Sequence, residues 1–203
     1  MRIKLLDILN IEWSKMTKAH KNLHYMNRSI VSLLLLLSAI CFMSSSRLTA
    51  ADIVKVEQGY FHTLLLKSDG SLWGSGHNTY GQLGIGTNST VTEFVEIFSS
   101  GVADVSGGRL HTVVLKTDGS VWGMGYNRYG PIDDSTLDRN IPVEMFSPGT
   151  VEKIAAGEQS TYVIKPDGSL WAMGYGWLGD GSFGENAPPT EIYSSGISKV
   201  WTN

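Results

Sequence analysis

The chain has 203 residues, one cysteine (Cys41) and a formal net charge of −3 at pH 7. A lone cysteine excludes an internal disulfide framework. The charge is unevenly spread: seven Lys or Arg face two acids up to Ala50, whereas nine face seventeen beyond it, a net of −8 (9 minus 17). That excess of acid argues against a nucleic-acid partner, because duplex binding draws on basic side chains that neutralise phosphates.

Residues 1–50 read as a signal or leader segment. Ile30 to Met43 is an uncharged apolar run of 14 residues with five leucines at Leu33 to Leu37, preceded by Lys15, Lys18, Lys21 and Arg28 and followed by small residues. A spanning helix needs ~20 apolar residues, whereas this length suits the apolar core of a secretory signal. An apolar leader helix is expected, with cleavage near Ala50 or Ala51, or at Ser46 as another option; an uncleaved anchoring helix is the alternative. Met26 offers a second start closer to that core. Cys41 follows Ile40 rather than a small residue, which does not fit a lipoprotein signal. The expected location is secreted, periplasmic or cell-surface, with membrane contact only through the leader during export.

Beyond the leader the chain repeats. Asp69-Gly70, Asp118-Gly119 and Asp167-Gly168 are each 49 residues apart, a period characteristic of solenoids, propellers and arrays. Within each unit two apolar runs flank the Asp-Gly pair: His62 to Lys67 and Ser71 to Gly76, His111 to Lys116 and Ser120 to Gly125, Thr161 to Lys165 and Ser169 to Gly174. Such runs predict a hairpin, turning as type I′ because Asp-Gly tolerates positive φ at both central positions. A further β-prone run precedes each hairpin (Ile53 to Gly59, Val102 to Gly108, Val151 to Gly157). A fourth follows it in two copies (Glu93 to Phe98, Ile141 to Phe146). Consecutive apolar residues such as Leu64, Leu65 and Leu66 indicate strands covered on both faces. The expected fold is all-β: propeller blades of four short antiparallel strands over residues 53–101, 102–150 and 151–196, and the start of a fourth repeat at 197–203. Three blades make an incomplete ring, so the chain is expected to be a fragment of a longer protein.

The motif Gly-x-x-His-Thr, three apolar residues, Lys, Asp-Gly-Ser, Trp-Gly, then Asn-x-x-Tyr-Gly-Gln-Leu-Gly resembles the regulator of chromosome condensation repeat in its bacterial form. The resemblance spans Ile53 to Asn203. The second copy replaces Gln-Leu-Gly with Pro131-Ile132-Asp133; the third has Ser160 in place of His and lacks three residues between Gly174 and Leu178. A partial β-propeller with a protein-binding role is what the resemblance implies. In the eukaryotic founder of the family that role is guanine nucleotide exchange, which needs an intact ring.

Candidate chemistry is thin. His62 and His111 share one repeat position and are expected to tie the strand start to a neighbouring loop rather than to form a metal or acid-base pair. Asp69, Asp118 and Asp167 are turn residues. Trp73, Trp122 and Trp171 keep the period and are expected in the core between blades. Gly74-Ser75-Gly76 and Gly84-Ile85-Gly86 lack the Lys-Ser/Thr pair and the helix that a phosphate cradle needs. His77, Tyr126, Arg128, Asp133, Asp134, Asp138 and Trp177 escape the period and lie on or beside the loops after the Trp strand, where a repeat scaffold varies to bind its partner. The spacing of Asp133, Asp134 and Asp138 matches no Ca²⁺ loop, and a solvated acidic loop is expected instead. No catalytic residue, cofactor or metal site is expected. The function expected is an exported, non-enzymatic scaffold binding a protein or cell-surface ligand, with inhibition of a secreted or periplasmic enzyme, or guanine nucleotide exchange as in the family's founder, as the alternatives.

Overall fold

In a computed structural model, which describes residues 51–133, 135–181 and 183–200, the 49-residue period becomes three four-stranded antiparallel sheets. The leader at 1–50, Asp134 and the last residues of the fourth repeat, from Trp201, lie outside the described residues. The first sheet runs β1 (Ile53–Gln58), β2 (His62–Lys67), β3 (Leu72–Gly76), β4 (Val91–Phe98); the second β5 (Val102–Gly107), β6 (His111–Lys116), β7 (Val121–Gly125), β8 (Arg139–Phe146); the third β9 (Lys153–Ala156), β10 (Ser160–Ile164), β11 (Leu170–Trp177), β12 (Phe183–Tyr193). Each sheet keeps its strands in chain order, so every strand pairs with its sequence neighbour. These are propeller blades. Equivalent pairs recur in register: Leu65 opposite Trp73, Val114 opposite Trp122, Val163 opposite Trp171.

The hairpin turn differs from the type I′ expectation. Gly70 N–H donates to Lys67 O (3.0 Å) and Lys67 N–H to Ser71 O (3.0 Å), which closes a three-residue loop, Ser68-Asp69-Gly70, and the same pair of bonds recurs at Lys116 and Lys165. Only the glycine takes positive φ, near 80° in all three turns. This is a type I turn followed by a glycine bulge, and it leaves Asp69 right-handed so that its carboxylate accepts the Ser71 N–H (2.9 Å). Asp118 and Asp167 accept from Ser120 and Ser169 in the same way. These hydrogen bonds from serine hold all three carboxyls below their usual range. The serine hydroxyl in turn accepts the indole N–H of Trp73, Trp122 or Trp171 at 3.0–3.1 Å. Gly119→Ala should destabilise the chain by more than the about 1–2 kcal/mol of a left-handed side chain, because its Cβ would also stand 2.8 Å from the Gly149 N, read as a lowered midpoint in urea.

The third repeat also has a fourth strand, which the sequence indicated only for the first two. It holds Pro188 and Pro189, and β12 is the outer edge of its sheet. An edge strand needs no N–H on its free side, so proline is tolerated there; Pro142 sits likewise in the edge strand β8.

Burial follows the blades' order. In β6, the inner strand of the middle blade, five consecutive residues are buried, whereas β2 alternates buried and half-buried positions. Leu64, Leu66, Leu72 and Leu83 of the first blade pack with Val102, Val105, Val114 and Met124 of the second, and Trp122 lies against this cluster. A second cluster joins Val113, Leu115 and Val121 to Val151, Ile154, Ala156 and Val163, with Trp171 against it. Each of these tryptophans thus fills the seam with the preceding blade, half-buried. Trp73 has no preceding blade among the described residues; Lys67 Nζ lies 4.0 Å from its ring centroid.

Candidate interaction face

Because the strands alternate in direction, the connections β1–β2 and β3–β4 of every blade emerge at one end, opposite the Asp-Gly turns. In the first blade the β3–β4 loop winds around Asn78 and Gln82, both fully buried. Asn78 Oδ1 accepts the Leu83 N–H (2.9 Å) and its amide donates to Thr87 O (2.8 Å). Gln82 Oε1 accepts the Tyr80 N–H, and Gln82 Nε2 donates to His77 Nδ1 (2.8 Å), leaving the His77 Nε2–H for Thr79 Oγ1 (2.9 Å). His77 is therefore held in one orientation by its own loop.

The second blade solves the same problem with different residues. Asn127, buried like Asn78, accepts the N–H groups of Ile132 and Asp133. Asp133 stands where the first repeat has Gly84, and its carboxylate accepts from Asn127 Nδ2 (2.6 Å), the Ser135 N–H (2.9 Å) and Arg139 Nε (2.9 Å). Burial works to raise its pKa, yet the bonds from Ser135 and Arg139 keep it below the usual carboxylate range. Asp138 accepts the Asn127 N–H (3.0 Å). Both acids are occupied in shaping the loop. Arg128 beside them is exposed, and Asp134 lies outside the described residues.

His62 and His111 lie at the seams between blades. Thr112 Oγ1 donates to Gln82 O (2.8 Å), so its oxygen accepts the His62 Nε2–H (2.8 Å). Thr161 Oγ1 donates to Pro131 O (2.6 Å) and meets His111 Nε2 at 3.3 Å. One imidazole thus ties its blade to the next through a threonine and the preceding loop. Burial pushes His62 down to about 4, helped by the charge of His77, and His111 down to about 3, helped by His62. Neither is a cation at neutral pH, and both are sealed from solvent, so the geometry gives them a structural task.

The main feature of this end is a row of rings. Tyr60, Phe61, His77, Tyr80, Tyr126, Tyr129, Tyr175, Phe183 and Trp177 follow one another with successive centroids 4.6–6.2 Å apart, crossing all three blades. Tyr60 (71%), Phe61 (55%), Trp177 (73%) and Phe183 (44%) are the exposed ends of the row. Burial and then Tyr129 raise the Tyr126 phenol above its ordinary value. Arg109 lies 5.7 Å from the Tyr60 centroid and pairs with Glu158 at 2.7 Å.

Two models of the regulator of chromosome condensation (RCC1) repeat match this chain, one at residues 53–82 and 102–130, the other at 69–115. Residues 53–130 carry regulator of chromosome condensation repeats. Among solved structures, it is similar to human WBSCR16 (26% identity, TM-score 0.61), covering 70% of this chain and 38% of that one. It is also similar to a chain in the structure of Kap60 bound to yeast RCC1 (Prp20) (19% identity, TM-score 0.62, 76% and 40% covered). Prp20p from Saccharomyces cerevisiae gives the same picture (18% identity, TM-score 0.62, 78% and 42% covered). The chain thus spans about two fifths of each solved chain. No curated protein matches it in sequence.

Within the repeat, the sequence singled out His77, Tyr126 and Trp177 of the row and passed over Tyr60, Phe61, Tyr80, Tyr129, Tyr175 and Phe183. Tyr80 and Tyr129 keep the repeat position Asn-x-x-Tyr and so resembled scaffold. The available signal was that every unit carries aromatic rings shortly after its Trp strand begins: His77 and Tyr80, Tyr126 and Tyr129, then Tyr175, Trp177 and Phe183.

Proposed function

We propose that these repeats form an exported, non-enzymatic scaffold that binds a protein or cell-surface ligand through the aromatic row. The row carries this reading: protein interfaces concentrate aromatic residues and Arg and thin out other charges at their centre, and nine rings bordered by Arg109 and Arg128 have that composition. The loops beneath are braced by buried Asn78, Gln82 and Asn127, which supports a preformed surface. One solved propeller with these repeats is itself a complex with a protein, Kap60 bound to yeast RCC1. The acid excess beyond Ala50 supports a partner other than nucleic acid, and the leader supports export.

A photo-crosslinking residue at Trp177 tests the interface, with Tyr193 as the control, because Tyr193 is also exposed (58%) but pairs with Leu170 at the Asp-Gly end of its blade. Crosslinks in the native host are expected from position 177 and not from 193; equal yields would refute the interface. Export predicts a mature protein in the extracellular or periplasmic fraction that starts near Ala51 by mass spectrometry.

A further inference from the structure

Building on that protein-binding reading, we propose that the row receives an extended proline-rich segment with a basic residue at the end that meets Phe183 and Glu185. Seven of the eight neighbouring ring pairs meet at 57–84°, and only Tyr129 and Tyr175 approach parallel, at 37°. Rings turned in this way present alternating faces and edges with notches between them. A flat stacking platform for sugar rings would need coplanar faces, whereas notches between aromatic side chains are what proline rings fill in grooves that bind the polyproline II helix. Two ring steps accommodate one turn of that helix, ~9 Å.

The polar groups of the row fit the same ligand. A proline-rich segment carries carbonyl oxygens that its own backbone leaves without donors, and the row supplies five tyrosine hydroxyls, from Tyr60, Tyr80, Tyr126, Tyr129 and Tyr175. Charge selects one flank. At the Tyr60 end Glu158 is neutralised by Arg109, which also lies over Tyr60, whereas exposed Glu185 stands two residues past Phe183; exposed Arg128 stands between and favours an uncharged middle. The acid excess beyond Ala50 draws such a segment in from a distance. Phe61 and Trp177 act as the apolar anchors.

The test titrates the 203-residue protein into a fluorescein-labelled decamer with a Pro-Pro-x-Pro core and an arginine at one end, followed by fluorescence anisotropy. Parallel titrations use the same peptide with alanine for every proline, an amphipathic helical peptide and a labelled oligosaccharide. Binding of the proline peptide, lost with alanine and weakened roughly tenfold or more by Trp177→Ala but not by Tyr193→Ala, is the expected result. Trp177 is exposed enough for its replacement to leave the fold intact. If only the helical peptide binds, in a Trp177-dependent way, the proline proposal fails while the protein-binding reading stands. If only the oligosaccharide binds there, the proline proposal and the protein partner fail, and the ligand is a cell-surface glycan. If no probe responds to Trp177→Ala, the proline proposal fails and the crosslinking at position 177 decides the broader reading.

Discussion

Gly108→Ala should lower the stability of the blades by about 3 kcal/mol, the upper range for forcing extra volume into a packed site. A Cβ on Gly108 would stand 2.2 Å from His111 Cε1 and 2.7 Å from Gly157 O. The imidazole leans on this glycine in order to reach Thr161 in the next blade, and the carbonyl belongs to that next blade, so neither side of the clash can give without opening the seam. The backbone at Gly108 is not left-handed, and the effect is purely steric. Gly101 separates the two causes: its φ is +78°, but nothing lies within 4 Å of its added Cβ, so Gly101→Ala should cost only about 1–2 kcal/mol. Combining Gly108→Ala with His111→Ser, the residue type the third repeat already uses at Ser160, should recover part of the loss. Urea denaturation of the four proteins checks this. A Gly108 variant no less stable than the Gly101 variant would show that the glycine is not there for the imidazole.

Acidification from pH 6.5 to 4.5 should destabilise the blades steeply, ahead of most of the carboxylate titration. In the folded chain His62 and His111 are held down to about 4 and about 3 by burial, while in the unfolded chain both titrate near 6.5. The unfolded state therefore takes up protons first as pH falls; the stability due to the neutral imidazoles is complete above about 6.5 and is lost on the way down toward the folded values. Each histidine contributes a slope of up to about 1.4 kcal/mol per pH unit in that window. The structural cause is visible at His62. Its Nε2–H is committed to Thr112, and the proton would add to Nδ1, a buried atom against Gly59 that has no hydrogen-bond partner. His111→Ser should be less stable at pH 7 yet show a slope smaller by one proton between pH 6.5 and 4.5, measured as thermal midpoint against pH. An unchanged slope would mean that His111 does not stay neutral in the folded chain.

The unit of this fold was legible because it is local. A hairpin needs a turn residue, flanking apolar residues and a fixed spacing, all within about 15 residues, and Asp69-Gly70, Trp73 and their copies supply them at a constant interval. The turn type was misjudged because Asp69 was credited with backbone freedom, whereas its task is the carboxylate bond to Ser71, which requires the right-handed region. No β-prone run like those of the first two repeats marked the fourth strand of the third blade, which holds Pro188 and Pro189, and only the edge position of β12 makes their missing N–H groups harmless.

The sequence by itself determined the all-β class, the 49-residue repeat, the hairpins and the acid excess beyond the leader, since each depends on neighbours along the chain. Only the tertiary structure decided that His62 reaches Thr112, that Gly108 must lack a side chain, and that nine rings from three repeats meet in one row. Those contacts join residues about 50 positions apart, as with His62 and Thr112, or lie in connections whose ends meet only when the blades stack, and no local pattern encodes which rings will face one another.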